Sequence, residues 1–514
     1  MGKCPVRNRS CVFLFIVFLI VPLVPVRGQP SGELVIALPN DPTGIYIGNA
    51  SDVTAISATR PLYDGLVVYG ADGSIQPGLA ESWDISEDGR TYTFHLREGV
   101  KFHNGEDFNA HAVSTIWEYG MTPTNQWLSY YDSVASAGDI VVIDDYTVEI
   151  TTSEPDAFFL SEMANGWFAI PPAYLAEVGL EAFEAAPVGT GPFMLENWAP
   201  GDRIVMRAFA DYWNPEQPKV ERLTFRIIPD ATTRMAAIQT GEVDIVTRLN
   251  TDDVALLEFN PDVKIVSYPN DRVYYVAFKN IGNGAGTPLE DKLVRQALNL
   301  AVDREGLVAA LFSGYGQTVS GFVIPSNLGF DPSLQPYPHD PQRARELLAE
   351  AGYPEGFAIG MSCPADAYTN INEVCLSVQR DLDGIGVDVD LEFKTTNAFW
   401  SEAHYATTGP MYVDSWSSPN GEAFWRLEGS LTPGYYYSTW TDPVIVDYLG
   451  QIAQAVDREE RAALYAELSH YMYDDPPYIY LYVLNLFEAT TKRVTGYQPL
   501  PNETFYLNEV GVGG

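Results

Sequence analysis

The stretch LYDGLVVYGADGSIQPGLAESWDISEDGRTYTFHLREGVKFHNGEDFNAHAV, residues 62–113, carries the most structural information in the chain. Within it, RTYTFHLREG at 90–99 puts Tyr92, Phe94 and Leu96 on one face and Thr93, His95 and Arg97 on the other, the period of two of a half-buried strand. Upstream, ELVIAL at 33–38 is a short apolar run bounded by Gly32 and Pro39, a second strand. Downstream, IVVIDDYTVEI at 140–150 sets Asp144 and Asp145 between two β-rich arms and reads as a hairpin. Further strands are expected at 204–209, 223–228, 273–278 and 387–393.

Helices are punctuated later in the chain. Thr287, Pro288 and Glu290 have the spacing of a capping box with proline at the first helical position, opening a helix whose Leu293, Ala297, Leu298 and Ala301 share a face. Asp340 and Pro341 start another, with Leu347, Leu348 and Ala351 on its buried side and Gly352 as its stop. A helix containing Cys375 precedes the 387–393 strand. Strands and helices mixed in both halves without a repeat indicate an α/β fold.

The N-terminus reads as an export signal. Lys3, Arg7 and Arg9 form a basic region, an apolar run extends from Cys11 to Val26, and Val26 and Gly28 are small residues placed for cleavage, so the mature chain is expected to start near Gln29. A membrane-spanning helix needs about 20 apolar residues, whereas this run is shorter and interrupted by Pro22 and Pro25. Cys4 and Cys11 lie before the apolar run or at its start, not after it, which argues for a free periplasmic protein over a lipoprotein. Past the signal, Cys363 and Cys375 are the only cysteines, and an oxidising compartment permits them to pair.

The 514-residue chain suggests about three domain-sized units. Its formal net charge of −38 becomes −42 once the four basic residues Lys3, Arg7, Arg9 and Arg27 leave with the signal. Such a chain repels phosphate backbones and anionic lipid surfaces, so nucleic acid is not an expected partner. The charge reads as a solvated acidic surface before it reads as a device for steering cations.

Other chemistries find little support. The histidines at 95, 103 and 111 are evenly spaced, but His95 lies on the outward strand face and His103 in a turn, so no metal site is expected. PVGTGPF at 187–193 lacks the lysine and Ser/Thr of a phosphate loop, and GNGAGT at 282–287 lacks the acid of a dinucleotide fold. No cofactor is expected. Carboxylate pairs such as Asp144 with Asp145, or Asp414 with Glu422, leave a secreted hydrolase as a remote alternative, without a nucleophile elbow or HExxH to support it.

The order of segments resembles the extracellular solute-binding protein family 5, which includes receptors of peptide, dipeptide and nickel importers. The 62–113 stretch is similar to that family's N-terminal signature almost throughout, and PVGTGPF, TGEVDIV at 240–246, VRQALNLAVDRE at 294–305, ARELLAEAGYP at 344–354 and DPPYIYLYV at 475–483 follow in the family's order. CPADAYTNINEVC resembles a subgroup with a cysteine pair in the same place. The resemblance implies a two-lobed, type II (Venus-flytrap) periplasmic binding protein with an extra domain in the N-terminal lobe. The expected units are a signal peptide (1–28), a discontinuous lobe I (29–63, 189–284 and 485–514), an inserted domain II (64–188) and a lobe III (285–484).

Function follows as an expectation: a monomer that captures a small solute and presents it to the permease of an ABC importer, without being an enzyme itself. Trp416, in MYVDSWSSPNGEAFW at 411–425, matches the family's cleft tryptophan, with Ser417 in a contacting position. Where peptide-binding relatives hold an aspartate for the ligand's ammonium, this chain has Pro419, then Asn420. Asp414 is the substitute acid, on the face of Trp416 and Tyr412 only if the chain bends between them. Tyr482 is expected as a cleft wall from the return strand. The aromatic density from Tyr412 to Trp440 suits peptides and sugars alike, so an oligosaccharide is the rival ligand.

Overall fold

The computed structural model describes residues 2, 30–42, 44–46, 48, 53–70, 74–122, 125, 130–365, 367–401, 403–418, 421–501 and 503–513. Apart from Gly2, the expected signal peptide lies outside them, and so does Asn420.

Two separate large apolar cores define two lobes of a mixed α/β fold. One core gathers side chains up to Phe225 and Ile245 with Phe505, Leu507 and Val510, and the other gathers Phe158 with side chains between Val273 and Val483. A single eleven-stranded sheet, counted among the described residues, runs through both. It is carried from lobe to lobe by two long antiparallel strands, Val263–Phe278 and Tyr478–Thr491. In the N-terminal lobe Glu33–Leu38 lies parallel to both Arg222–Ile227 and Ile245–Val246. In the C-terminal lobe Phe357–Pro364 lies parallel to Val387–Lys394 and to Met411–Trp416.

A separate four-stranded antiparallel sheet contains Thr91–Leu96 and the Ile140–Asp144/Thr147–Thr151 hairpin. The alternation expected for 90–99 is present, with Tyr92, Phe94 and Leu96 buried. Their core is continuous with that of the N-terminal lobe. The PVGTGPF turn makes part of that joint, because a Cβ at Gly189 or Gly191 would lie 2.2 or 2.4 Å from Leu62 backbone atoms. His103 is held there by the Gly191 carbonyl at 2.9 Å, and burial pushes its pKa down to about 4. On the other side Phe158 crosses to the second lobe and stacks on Phe424 at 4.3 Å, while Ala157 N donates to the Ala453 carbonyl.

Capping follows the sequence at one helix and departs from it at another. The Asp340 carboxylate accepts from Arg343 N at the start of Pro341–Glu350, as its position suggests. The box at Thr287, by contrast, does not form. The Thr287 hydroxyl donates back to the Gly284 carbonyl, Pro288–Glu290 closes only a 3-10 turn, and Asp291 caps the following helix Lys292–Ala301 by accepting from Leu293 N. Cys363 and Cys375 are disulfide-bonded and pin the Phe357–Pro364 strand to helix Ile371–Asp383.

Candidate functional site

The lobes meet where the two long strands lose register: Pro269 pairs with Asn485 and Val273 with Val483, leaving residues 270–272 as a bulge. Arg272 leaves this bulge half-buried. Its guanidinium donates to the Ser415 hydroxyl at 3.2 Å and the Ser417 hydroxyl at 3.4 Å, and lies 5.9 Å from the Tyr368 ring centre. Among the described residues no carboxylate pairs with it. The bulge is fastened from behind: Arg426, fully buried, donates to the Asp271 carbonyl and to Asn327 Oδ1.

Met411–Trp416 pairs with the first long strand in unbroken register from Val273 with Trp416 to Phe278 with Met411. Tyr412, Asp414 and Trp416 therefore share a face through alternation alone, and the bend expected between them is not needed. Trp416 is half-buried against Tyr437, ring centres 4.5 Å apart, and Gly429 gives its ring room, since a Cβ there would lie 2.3 Å from it. Ser417 is beside it, in contact with Arg272.

Three of the other expected site residues sit deeper. Asp414 is 2% exposed and accepts from Tyr368 OH and His404 Nε2, both at 2.9 Å, and from Ser415 N at 2.7 Å. Its oxygens are occupied within the lobe instead of being offered to a cleft. Tyr412 is buried and hydrogen-bonded through its hydroxyl to Thr439. Tyr482 is also buried, its ring stacked on Tyr274 at 4.8 Å, so that Tyr274 covers it on that side. The carboxylates considered for hydrolysis are separate: Glu422 pairs with Arg461 at 2.8 Å, away from the Asp414–His404 pair.

Across the bulge, the N-terminal lobe has a small pocket of about 20 Å³ at the C-terminal ends of its parallel strands, lined by Leu38 and Thr247 and by Thr54, Ser57, Tyr268, Glu488 and Glu503. This is where open α/β sheets present ligands. Glu503 pairs with Arg248 at 3.0 Å, and its charge also acts on Tyr274 and Asp271 across the bulge. Glu488 is buried and accepts from Tyr268 OH at 2.8 Å and from Tyr497 OH. Burial, opposed by the two phenols and reinforced by the Glu503 charge, pushes its carboxyl up to about 7.

Residues 74–438 match the family model of the bacterial extracellular solute-binding proteins, family 5 (middle region). The chain belongs to this family. It is 32% identical over 93% of its length to a glutathione-binding protein GsiB of Escherichia coli O1:K1, covering 94% of that protein, and the Salmonella typhimurium counterpart is 31% identical with the same coverage. Among solved structures, HbpA2 of Haemophilus parasuis superposes with a TM-score of 0.85 at 28% identity, covering 94% of this chain and all of that one. The periplasmic binding protein DppA of Helicobacter pylori in complex with the peptide STSA gives 0.72 at 26%, covering 95% and 99%.

Within this family member, the structure puts the expected Trp416 and Ser417 at the face where Arg272 emerges; the sequence reading has Tyr437 only among the aromatics from Tyr412 to Trp440, and does not single out Arg272, Tyr368 or the N-terminal pocket. One signal was available for Arg272: a cation opening a buried strand in a chain of net charge −38. None pointed to Ser57 or Glu488. Among the described residues there is no cluster of three or more His, Cys, Asp or Glu side chains fit for a metal, and no helix is long and apolar enough to cross a membrane.

Proposed function

We propose that this protein is the substrate-binding component of an ABC importer and captures a peptide-like solute carrying a carboxylate between its lobes. In this reading it is an exported, signal-cleaved, monomeric periplasmic protein that hands its ligand to an inner-membrane permease without altering it. Residues 29–63, 189–269 and 485–514 form one lobe, 64–188 extend it, and 270–484 form the other; the boundary expected at 284 moves back because Val273–Phe278 pack in the C-terminal core.

The observation that carries the reading is Arg272. An arginine that meets only hydroxyls and a carbonyl, at the pivot of a strongly acidic protein, is a fork-shaped donor without its acceptor. A ligand carboxylate completes it, with Trp416 and Tyr437 flanking the ligand and Ser417 orienting the guanidinium. The glutathione-binding and peptide-complexed relatives support a ligand of this class.

Mass spectrometry of small molecules released on denaturing the purified protein tests this. Carboxylate-bearing peptides are expected, and Arg272→Gln should weaken their binding by about 2 kcal/mol, the lower end for truncating a charged pair because Arg272 is only half-buried. Recovery of neutral sugars, with binding indifferent to Arg272→Gln, would overturn the reading in favour of an oligosaccharide.

A further inference from the structure

We propose that the N-terminal pocket is the subsite for the ligand's amine, with Glu488 as counter-ion and Ser57 as a second acceptor. The inference rests on the peptide reading above and names the group that the opposite lobe receives. Pro419 and Asn420 follow Trp416 without an acid, and Asp414 is 2% exposed with both oxygens already accepting, from Tyr368, His404 and its neighbour's N–H. A ligand ammonium, which has three donors and no acceptor, must find its partners elsewhere.

The pocket supplies them. Arg248 and Glu503 neutralise one another at 3.0 Å, which leaves Glu488 as a surplus buried carboxyl with only phenol partners. Ser57 is 0% exposed, lines the same pocket, and its Oγ has no hydrogen-bond partner among the described residues. A buried hydroxyl is disfavoured when left unmade, and an N–H donor entering the pocket satisfies it. The groups acting on Glu488 from the surrounding elements are Tyr268, Tyr497 and Glu503, with the Arg248 guanidinium pairing Glu503; of these only Arg248 is a cation.

Spacing fits a zwitterionic peptide. Arg272 lies level with residue 484 on the partner strand, and Glu488 is four residues further on. That is roughly 13 Å of strand at ~3.3 Å per residue. An extended peptide of about three or four residues, at ~3.3–3.6 Å each, spans the same distance.

The test is calorimetric titration of glutathione and the tetrapeptide Ser-Thr-Ser-Ala, each with its N-acetylated counterpart, at pH 6 and pH 8. Because Glu488 holds a proton up to about pH 7, an ammonium that needs the carboxylate must expel it. Binding of the free-amine peptide should tighten about three- to tenfold from pH 6 to pH 8, the lower figure where the peptide's own amine begins to lose its proton, with proton release at pH 6, and N-acetylation should cost about 100-fold and abolish the rise. Glu488→Gln should remove both the trend and the preference for the free amine while leaving the acetylated peptide's affinity unchanged. Ser57→Ala, a smaller change that retains Glu488, should cost the free-amine peptide about tenfold and the acetylated one nothing. If both variants keep the wild-type preference, the subsite is wrong and the peptide reading stands. If neither peptide binds the wild-type protein in either form, both fall together.

Discussion

Replacing Asp414 by asparagine separates two roles that the chain's order of residues does not distinguish. In the structure Asp414 is an internal acceptor: Tyr368 OH, His404 Nε2 and Ser415 N all converge on a carboxylate only 2% exposed. Hydrogen bonds to a charged group contribute about 1.5–3 kcal/mol and neutral ones about 0.5–1.5, so demoting the Tyr368 and His404 bonds costs about 1 kcal/mol each. The amide also turns a donor toward donors, which leaves at least one buried group unmade at about 1–3 kcal/mol. The lower bound of that sum is about 3 kcal/mol. For a cooperative unit of roughly 150–250 residues this lowers Tm by about 6–12 °C. Thermal unfolding by circular dichroism measures that drop, and titration with a free-amine peptide and its acetylated form measures specificity. Stability should fall while the preference for the free amine persists. An unchanged Tm together with loss of that preference would show that Asp414 is the ligand's counter-ion and that the assignment to Glu488 is mistaken.

Trp416→Ala should weaken binding of a captured peptide about tenfold by calorimetry, through loss of the aromatic wall it forms with Tyr437; unchanged affinity would remove it from the site. Thiol titration of the unfolded, unreduced mature protein should find no free cysteine, and Cys363→Ser with Cys375→Ser should lower stability by about 2–3 kcal/mol in chain-entropy terms for so short a loop. The Glu488 carboxyl is raised from an ordinary 4.5 to about 7, so its contribution to the unliganded fold is fully present below about pH 4.5 and is lost as pH rises through about 7. The gap amounts to about 3 kcal/mol. The stability difference between wild type and Glu488→Gln should follow that curve in denaturant titrations across pH 4–9, and a flat difference would contradict it.

What the sequence made legible is what depends on near neighbours. The burial of Tyr92, Phe94 and Leu96 follows from a period of two, and the start at Asp340–Pro341 from a cap and a fixed φ, each within a few residues. The Thr287 box failed within the same range, because the hydroxyl donates to the Gly284 carbonyl instead of accepting from a helix N–H, and Asp291 takes the cap of the helix that follows. The site is different in kind. Tyr268 and Glu488 are 220 residues apart, and Arg272 and Ser417 are 145 apart. Asp414 looks available in MYVDSW until His404 and Tyr368 are folded onto it. Residue type gives candidates for such a site, whereas availability is set by partners that only the tertiary structure brings together.

The same long-range contacts divide the site between two bodies. Arg272 cannot move apart from the C-terminal lobe, because Arg426 and Asn327 clamp the bulge beneath it and Ser415 and Ser417 receive its guanidinium. Glu488 lies between Phe487 and Ala489, which are buried in a smaller core with Ile228, Met235 and Val246 of the N-terminal lobe. The pivot therefore falls between Tyr268 and Arg272 on one strand and between Leu484 and Phe487 on the other, where the ladder is already broken by the bulge. A solute held at one end only gains nothing from rotation about that pivot. A solute that binds Arg272 with one end and the Glu488 pocket with the other gains contacts in proportion to how far the lobes close, and that differential affinity is the only free energy by which a ligand can shift such an equilibrium. With the anionic and cationic ends of the ligand placed as proposed, on opposite sides of the bulge, zwitterionic peptides are the solutes expected to close the protein. Capping either end should leave a weakly bound, open form.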